Sequence, residues 1–193
     1  MRSAINCNGL FAACLLLSAM PAPAPAQDKT VLGIGLGSPL RLPKCGAGNG
    51  AMTSTTCVTS DPVERKAWGA DEHHVAIPLS GAPPYARGEF KVVTVKGIVE
   101  SVQIATWGIQ SQSVALATLT GQYGKPARTR QQKLPLSRIP AEFAEWDLAD
   151  LSINFQGSTG SIDWGLVDVS TPRYRRLVKD YEQRQPAGTA RKP

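Results

Sequence analysis

The stretch FKVVTVKGIVESVQIATWGIQSQSVALATLTGQYGKP, residues 90–126, decides the fold. It opens with β-branched and apolar residues, FKVVTV, bends at Lys96-Gly97 and resumes as the extended run GIVESVQIAT. Side chains alternate along a strand, so Ile98, Val102 and Ile104 are expected on one face and Ser101 and Gln103 on the other, with Glu100 interrupting the apolar side. Then the period changes. Ile109, Ala115, Leu116, Leu119 and Tyr123 recur as one side of a helix, with Ser111 or Thr106 near its start. Gly124 supplies the left-handed residue after the last turn, and Pro126 prevents continuation. The spacing predicts a helix over 109–123.

Toward the C-terminus the alternation returns. ARTRQQKL from Ala127 is polar enough for an edge strand. LPLSRIPAE reads as a loop, and EFAEWDL and DLSINFQ flank a tight turn at Ala149-Asp150. Phe143 and Trp146 fall on opposite faces by parity, whereas Leu151, Ile153 and Phe155 share one. GSTGS from Gly157 reads as a turn before a last strand, IDWGLVDVS, in which Gly165 leaves room for an aromatic ring. Thr171-Pro172 then supplies a cap and a first-turn proline, and Tyr174, Leu177, Val178 and Tyr181 make one helical stripe. A final helix of about three turns is expected, docked by that stripe with its basic face in water. Short connections force antiparallel neighbours, because a parallel pair needs a crossover of about a dozen residues. The expected class is α+β: a single antiparallel sheet with one helix packed on a face, a C-terminal helix and a disulfide-closed N-terminal lobe.

Toward the N-terminus the pattern loosens. Residues 61–88 read as a loop with one short extended piece, over which Trp68 packs, and residues 27–60 as irregular chain. VLGIGLG, residues 31–37, lacks the spacing of a dinucleotide fingerprint, and no Gly-Lys-Ser/Thr follows it to make a P-loop. The chain opens with Arg2, an apolar run of about 11 residues from Leu10 to Met20, roughly half of what spans a bilayer, and PAPAPAQD. Small residues at Ala24 and Ala26 complete the pattern of a cleaved secretory signal. A second reading takes Phe11-Ala12-Ala13-Cys14 as a lipobox, but cleavage there would split the apolar core. The expected organisation is a signal peptide over 1–26, an irregular disulfide-closed segment over 27–88, an α+β domain over 89–185 and a disordered basic tail over 186–193.

Signal cleavage removes Cys7 and Cys14 and leaves Cys45 and Cys57 in an oxidising compartment, where an even pair reads as a disulfide. It would close a loop rich in glycine and threonine, a constraint worth about 3 kcal/mol in the chain-entropy model. A redox pair would want a tight C-x-x-C, and a metal site further ligands nearby.

The net charge of +6 is unevenly placed. Residues 27–172 hold 13 Lys+Arg and 13 Asp+Glu, whereas residues 173–193 hold 7 basic and 2 acidic residues. The body is neutral and the basicity belongs to the C-terminal segment, with Arg173, Arg175, Arg176 and Lys179 as its first cluster. Such a segment either aids solubility or attracts an anionic surface. Nucleic-acid readers interleave basic and aromatic residues on one surface; here they are separated along the chain, so no nucleic-acid partner is expected.

GIGLGSPLRLPKC, residues 33–45, resembles the opening of small secreted or periplasmic bacterial proteins of unassigned function, which carry an LGxPLxLPxC-like segment after a signal peptide. The helix end QYGKP, residues 122–126, and the hairpin EWDLADLSINF, residues 145–155, are similar to the second part of such proteins. The resemblance spans most of the mature chain. It implies export and brings no activity, cofactor or site residue with it. The helix on an antiparallel sheet is also similar to periplasmic inhibitor and envelope-assembly modules, a fold analogy that assigns no function.

The chemistry-bearing residues are few. His73 and His74, beside Asp71 and Glu72, invite a metal site completed by Asp61 or Glu64. Adjacent residues in an extended chain point opposite ways, however, and a metal wants ligands converging from one side. A Ser-His-Asp set would have to use the same histidines, and no G-x-S-x-G elbow is present. Glu145, Asp147, Asp150 and Asp163 lie on or beside neighbouring strands, as paired carboxylates or as alternating exposed charges. Trp107, Trp146 and Trp164 either line a binding groove or fill the core. No cofactor is implied. By subtraction, the expectation is a non-catalytic periplasmic or secreted protein that binds another protein or an envelope component. The alternatives are a small envelope hydrolase or metal enzyme using His73 or His74, and anionic-surface attachment through the basic segment.

Overall fold

A computed structural model describes residues 29–46, 54–65, 69–135 and 137–184. The expected signal segment, Cys7, Cys14, Trp68 and the residues beyond 184 lie outside the described residues. The strands are β1 (Thr30–Val31), β2 (Ile34–Gly35), β3 (Cys57–Val58), β4 (Val63–Arg65), β5 (Ala70–Ala76), β6 (Ala86–Val95), β7 (Ile98–Thr106), β8 (Arg128–Gln132), β9 (Ala141–Asp147), β10 (Ser152–Ser161) and β11 (Trp164–Ser170). The helices are α1 (Gln112–Tyr123) and α2 (Pro172–Arg184), and a 3-10 turn over Gly108–Gln110 precedes α1.

The α+β class holds, and the pairing is antiparallel throughout the strands. The sheet is not single. β1 and β2 form a separate two-stranded hairpin, and the large sheet runs β3-β5-β6-β7-β11-β10-β9-β8, with β4 also pairing with β5. The hairpin turns at Leu32 and Gly33, both at positive φ, within two residues per strand. It packs Val31, Ile34 and Leu36 onto the core as a lid.

The loop expected over 61–88 holds β5 instead. Its sequence, ADEHHVA, lacks an apolar alternation because both faces carry polar side chains: Glu72 and His74 on one, Asp71 and His73 on the other, opposite Val93, Lys91, Thr94 and Val92 of β6. GSTGS is likewise no simple turn: β10 continues to Ser161, where it meets Trp164 after a break in register.

One face of the large sheet is apolar. Phe155, Val167, Ile104, Phe90 and Val75 form a register row from β10 to β5, and Trp146, Ile153, Val169, Val102 and Val92 form the next. Ala115 and Leu119 of α1 are buried in the same cluster. The end of α1 is as expected: Gly124, at φ 80°, donates its N–H to the Thr120 carbonyl at 2.9 Å.

The expected parity of β7 fails at its first residues. Val93 pairs with Ser101 but Thr94 with Val99, so Glu100 is an extra residue in a bulge. Val99 and not Ile98 therefore shares the core face with Val102 and Ile104. The displaced Glu100 is 2% exposed and turns to the opposite face, where it anchors α2. Its carboxylate pairs with Arg173 at 3.0 Å and accepts the Thr171 hydroxyl. Its carbonyl accepts the Thr171 N–H at 2.9 Å. Thr171 in turn caps α2 by accepting the Tyr174 N–H at 3.1 Å. Tyr174 and Val178 then dock against Ala70, Val93 and Val95, while Leu177 of the expected stripe stays exposed.

Candidate functional site

The face opposite α1 carries the candidate site. Register aligns Arg128, Glu145, Asn154, Asp168, Gln103, Lys91 and His74 in one row from β8 to β5. Every member is polar, although the row crosses the middle of the sheet. The neighbouring row, Asp147, Ser152, Ser170, Ser101, Val93 and Glu72, lies toward α2, which packs Tyr174 against Val93. A cleft of about 670 Å³ separates α2 from the sheet, with Asn154, Asp168 and Ser170 on the sheet side and Arg175, Arg176 and Lys179 on the helix.

Asp168 is the centre of this face. Ser101 donates its hydroxyl to Oδ1 at 2.9 Å and Gln103 its amide to Oδ2 at 3.3 Å. Burial raises the pKa of the carboxyl, and the Ser101 and Gln103 hydrogen bonds, with the charge of Arg175, pull it back only in part. At the cleft's mouth Arg128 holds Glu145 and Asp147, each at 2.7 Å, and Arg175 reaches Asp147 at 2.8 Å and the Ser152 hydroxyl. Glu145 and Asp147 are thus neutralised by cations. Asp150 pairs with Lys29 at 3.2 Å, and Asp163 accepts Gln110 at 3.1 Å.

The two histidines fall on opposite faces. His73 pairs with Val92 on the core side, and its Nε2 lies 3.1 Å from the Thr94 hydroxyl, where burial lowers its pKa. His74 pairs with Lys91 on the polar side, 3.8 Å from Glu72, which Lys91 holds at 2.8 Å. Asp71 lies one position before Glu72, opposite Thr94 on β6. Asp61 is held by Lys44 at 2.7 Å. Among the described residues no three His, Cys, Asp or Glu side chains gather in metal-binding range.

The tryptophans divide. Trp146 is 1% exposed and donates its indole N–H to the Gly124 carbonyl at 2.7 Å, tying β9 to the end of α1. Trp107 and Trp164 meet at the end of the polar face around Arg87, whose guanidinium lies 4.8 Å from one ring centroid and 4.3 Å from the other. Arg87 also donates to the Asp163 carbonyl at 2.9 Å. Trp107 remains 45% exposed. Its position is set by Gly108, at φ 57°, where a Cβ would meet the Ile162 carbonyl at 2.1 Å.

Cys45 and Cys57 are joined as expected. No helix among the described residues is long and apolar enough to cross a membrane. Of the basic cluster, Arg173 and Arg175 are paired inward, whereas Arg176 and Lys179 line the cleft. Sequence reading missed Asp168, Gln103, Asn154, Arg87 and Arg128. For Gln103, Asn154 and Asp168 the signal is a polar residue on the alternate parity of an apolar strand, and only the strand order aligns them with one another and with Arg128. Comparison with known proteins finds no family model, no curated protein and no solved structure that matches this chain.

Proposed function

We propose that this chain is an exported, non-catalytic binding protein that holds another protein or an envelope component against the polar face of its sheet. The observation that carries the reading is the polar row through Asn154, Asp168 and Gln103, beside the cleft under α2. A carboxyl that burial disfavours, hydrogen-bonded in the middle of a sheet, is the kind of group that binding and catalytic sites hold. The Trp107–Arg87–Trp164 stack at the end of the same face adds a rigid aromatic anchor of the kind that dominates interfaces. The Cys45–Cys57 disulfide supports the exported part of the reading. Ser101, whose hydroxyl Asp168 holds at 2.9 Å, has no histidine hydrogen-bonded to it among the described residues, which supports binding over turnover.

The test is affinity capture from envelope extracts with the unmodified protein and with Asp168→Asn and Trp107→Ala singly. One component should be enriched by the unmodified protein and lost with either variant. Enrichment of nothing over bare resin, or equal capture by all three proteins, overturns the proposal.

A further inference from the structure

The open edge of the sheet carries a second feature, independent of the polar face. β8 is the last strand on its side, pairs only with β9, and has five residues, all exposed. A groove of about 390 Å³ runs beside it, lined by Leu116 of α1, by Thr129, Arg130 and Gln131 of β8, and by Glu142 and Phe143 of β9. Thr129 pairs with Ala144 on the core face, whereas Arg130 pairs with Phe143 on the polar face. Because the groove touches residues of both faces, it follows the unpaired edge itself.

Of the devices that commonly blunt an edge strand, β8 carries charged side chains but neither a proline nor a bulge. Here the arginines turn onto the sheet: Arg128 binds Glu145 and Asp147, and the Arg130 guanidinium lies 3.7 Å from the Phe143 ring centroid. Among the described residues, β8 makes no backbone hydrogen bond outside its ladder with β9. Glu142, which accepts the Gln131 amide at 3.4 Å, is the acidic residue of the groove lining, whereas the segment that carries β8 is basic. Residues 124–138 contain Lys125, Arg128, Arg130, Lys133 and Arg138 and no acidic residue. α1, across the groove, bears no charge at all. Lys125, Lys133 and Arg138 form no ion pair among the described residues.

We infer that β8 is a docking edge for an acidic, extended segment of a partner protein, added as a further strand between the basic edge and α1. Main-chain hydrogen bonds would supply affinity and alternate side chains specificity. The period of two sets the sequence class. Acidic residues at alternate positions meet Arg130 and the flanking lysines, and small aliphatic residues between them meet Leu116. A second copy of this chain is a poor occupant, since β8 against β8 places arginines near arginines.

The experiment uses the whole chain and short capped peptides of alternating glutamate and valine, with a lysine–valine peptide and a glutamate–valine peptide carrying a central proline as controls. Binding is read by fluorescence anisotropy and mapped by amide NMR. The acidic peptide should bind at least about tenfold more tightly than either control, weaken with salt, and shift amides of residues 128–132 rather than those around Asp168. Lys133→Glu, a change at an exposed unpaired position, should weaken binding by about tenfold. Equal binding of the acidic and proline peptides, shifts confined to the polar face, absence of binding, or concentration-dependent dimerisation through β8 would each overturn the inference. Because the map separates residues 128–132 from Asp168, failure here leaves the polar-face reading to its own test.

Discussion

Asp168 sits where water is scarce, and its hydrogen-bonding neighbours offset only part of that penalty. Its folded pKa is raised, so over the window above the ordinary carboxylate range the folded chain holds a proton that the unfolded chain has released. The stability this contributes is full below the unfolded value and is lost as pH rises through the folded one. Asp168→Asn, which keeps the shape and removes the titration, is therefore expected to match or exceed the parent in Tm near neutral pH. It should also show a smaller loss of Tm between about pH 4 and about pH 7. Thermal melts across that range check it, and a lower Tm for the variant at neutral pH would contradict the assignment. The same scale shows what single residues disclose. Trp107 and Trp164 were legible as candidate binding residues because large aromatics stand out in any sequence. Trp146 was grouped with them, and only its buried contact with Gly124 separates it. Asp168 gave little sign, since one more acid at alternate parity is what a solvated strand also shows.

At the scale of elements, Glu100 links the β6–β7 hairpin to α2. A bulge adds one residue to one strand only, which flips the parity of all that precedes it. That is why the alternation read from Val102 and Ile104 was right and its extension to Ile98 was wrong. The same flip aims a carboxylate at the start of the next element packed above. Thr171→Ala removes both the cap on the Tyr174 N–H and the bond to Glu100. It is expected to lower stability by about 1–2 kcal/mol. Urea unfolding with an unchanged slope should report it, and a change within error would mean that α2 is held by packing alone. The end of α1, α2, β8 and the turn at Ala149-Asp150 were legible from caps, breakers and period, whereas the expected start of α1 at residue 109 falls in the 3-10 turn before Gln112, and Ser111 makes no side-chain cap bond. β5 was not, because strand reading looks for apolar alternation and ADEHHVA puts polar side chains on both faces, Glu72 and His74 on one and Asp71 and His73 on the other.

At the scale of the whole molecule, the Cys45–Cys57 bond ties the segment before β3 to the outer edge of the sheet. Replacing both cysteines by serine should lower stability by about 3 kcal/mol in the chain-entropy model, with the lost Tm reproduced by reducing the parent protein. Insensitivity to reductant would show the loop to be ordered without its bond. The polar row was invisible before the strand order was known. Its members come from β5, β6, β7, β8, β9, β10 and β11, and no local pattern says that β11 inserts between β7 and β10. That insertion has a consequence for assembly. Ser101 and Asp168, hydrogen-bonded at the seam, are 67 positions apart. A polypeptide delivered N-terminus first, from a ribosome or through a membrane pore, holds two unjoined half-sheets until its closing strand arrives. Zipping the seam is then a late, non-local and comparatively slow event, and fragments ending before Trp164 should collect as sticky, half-built species.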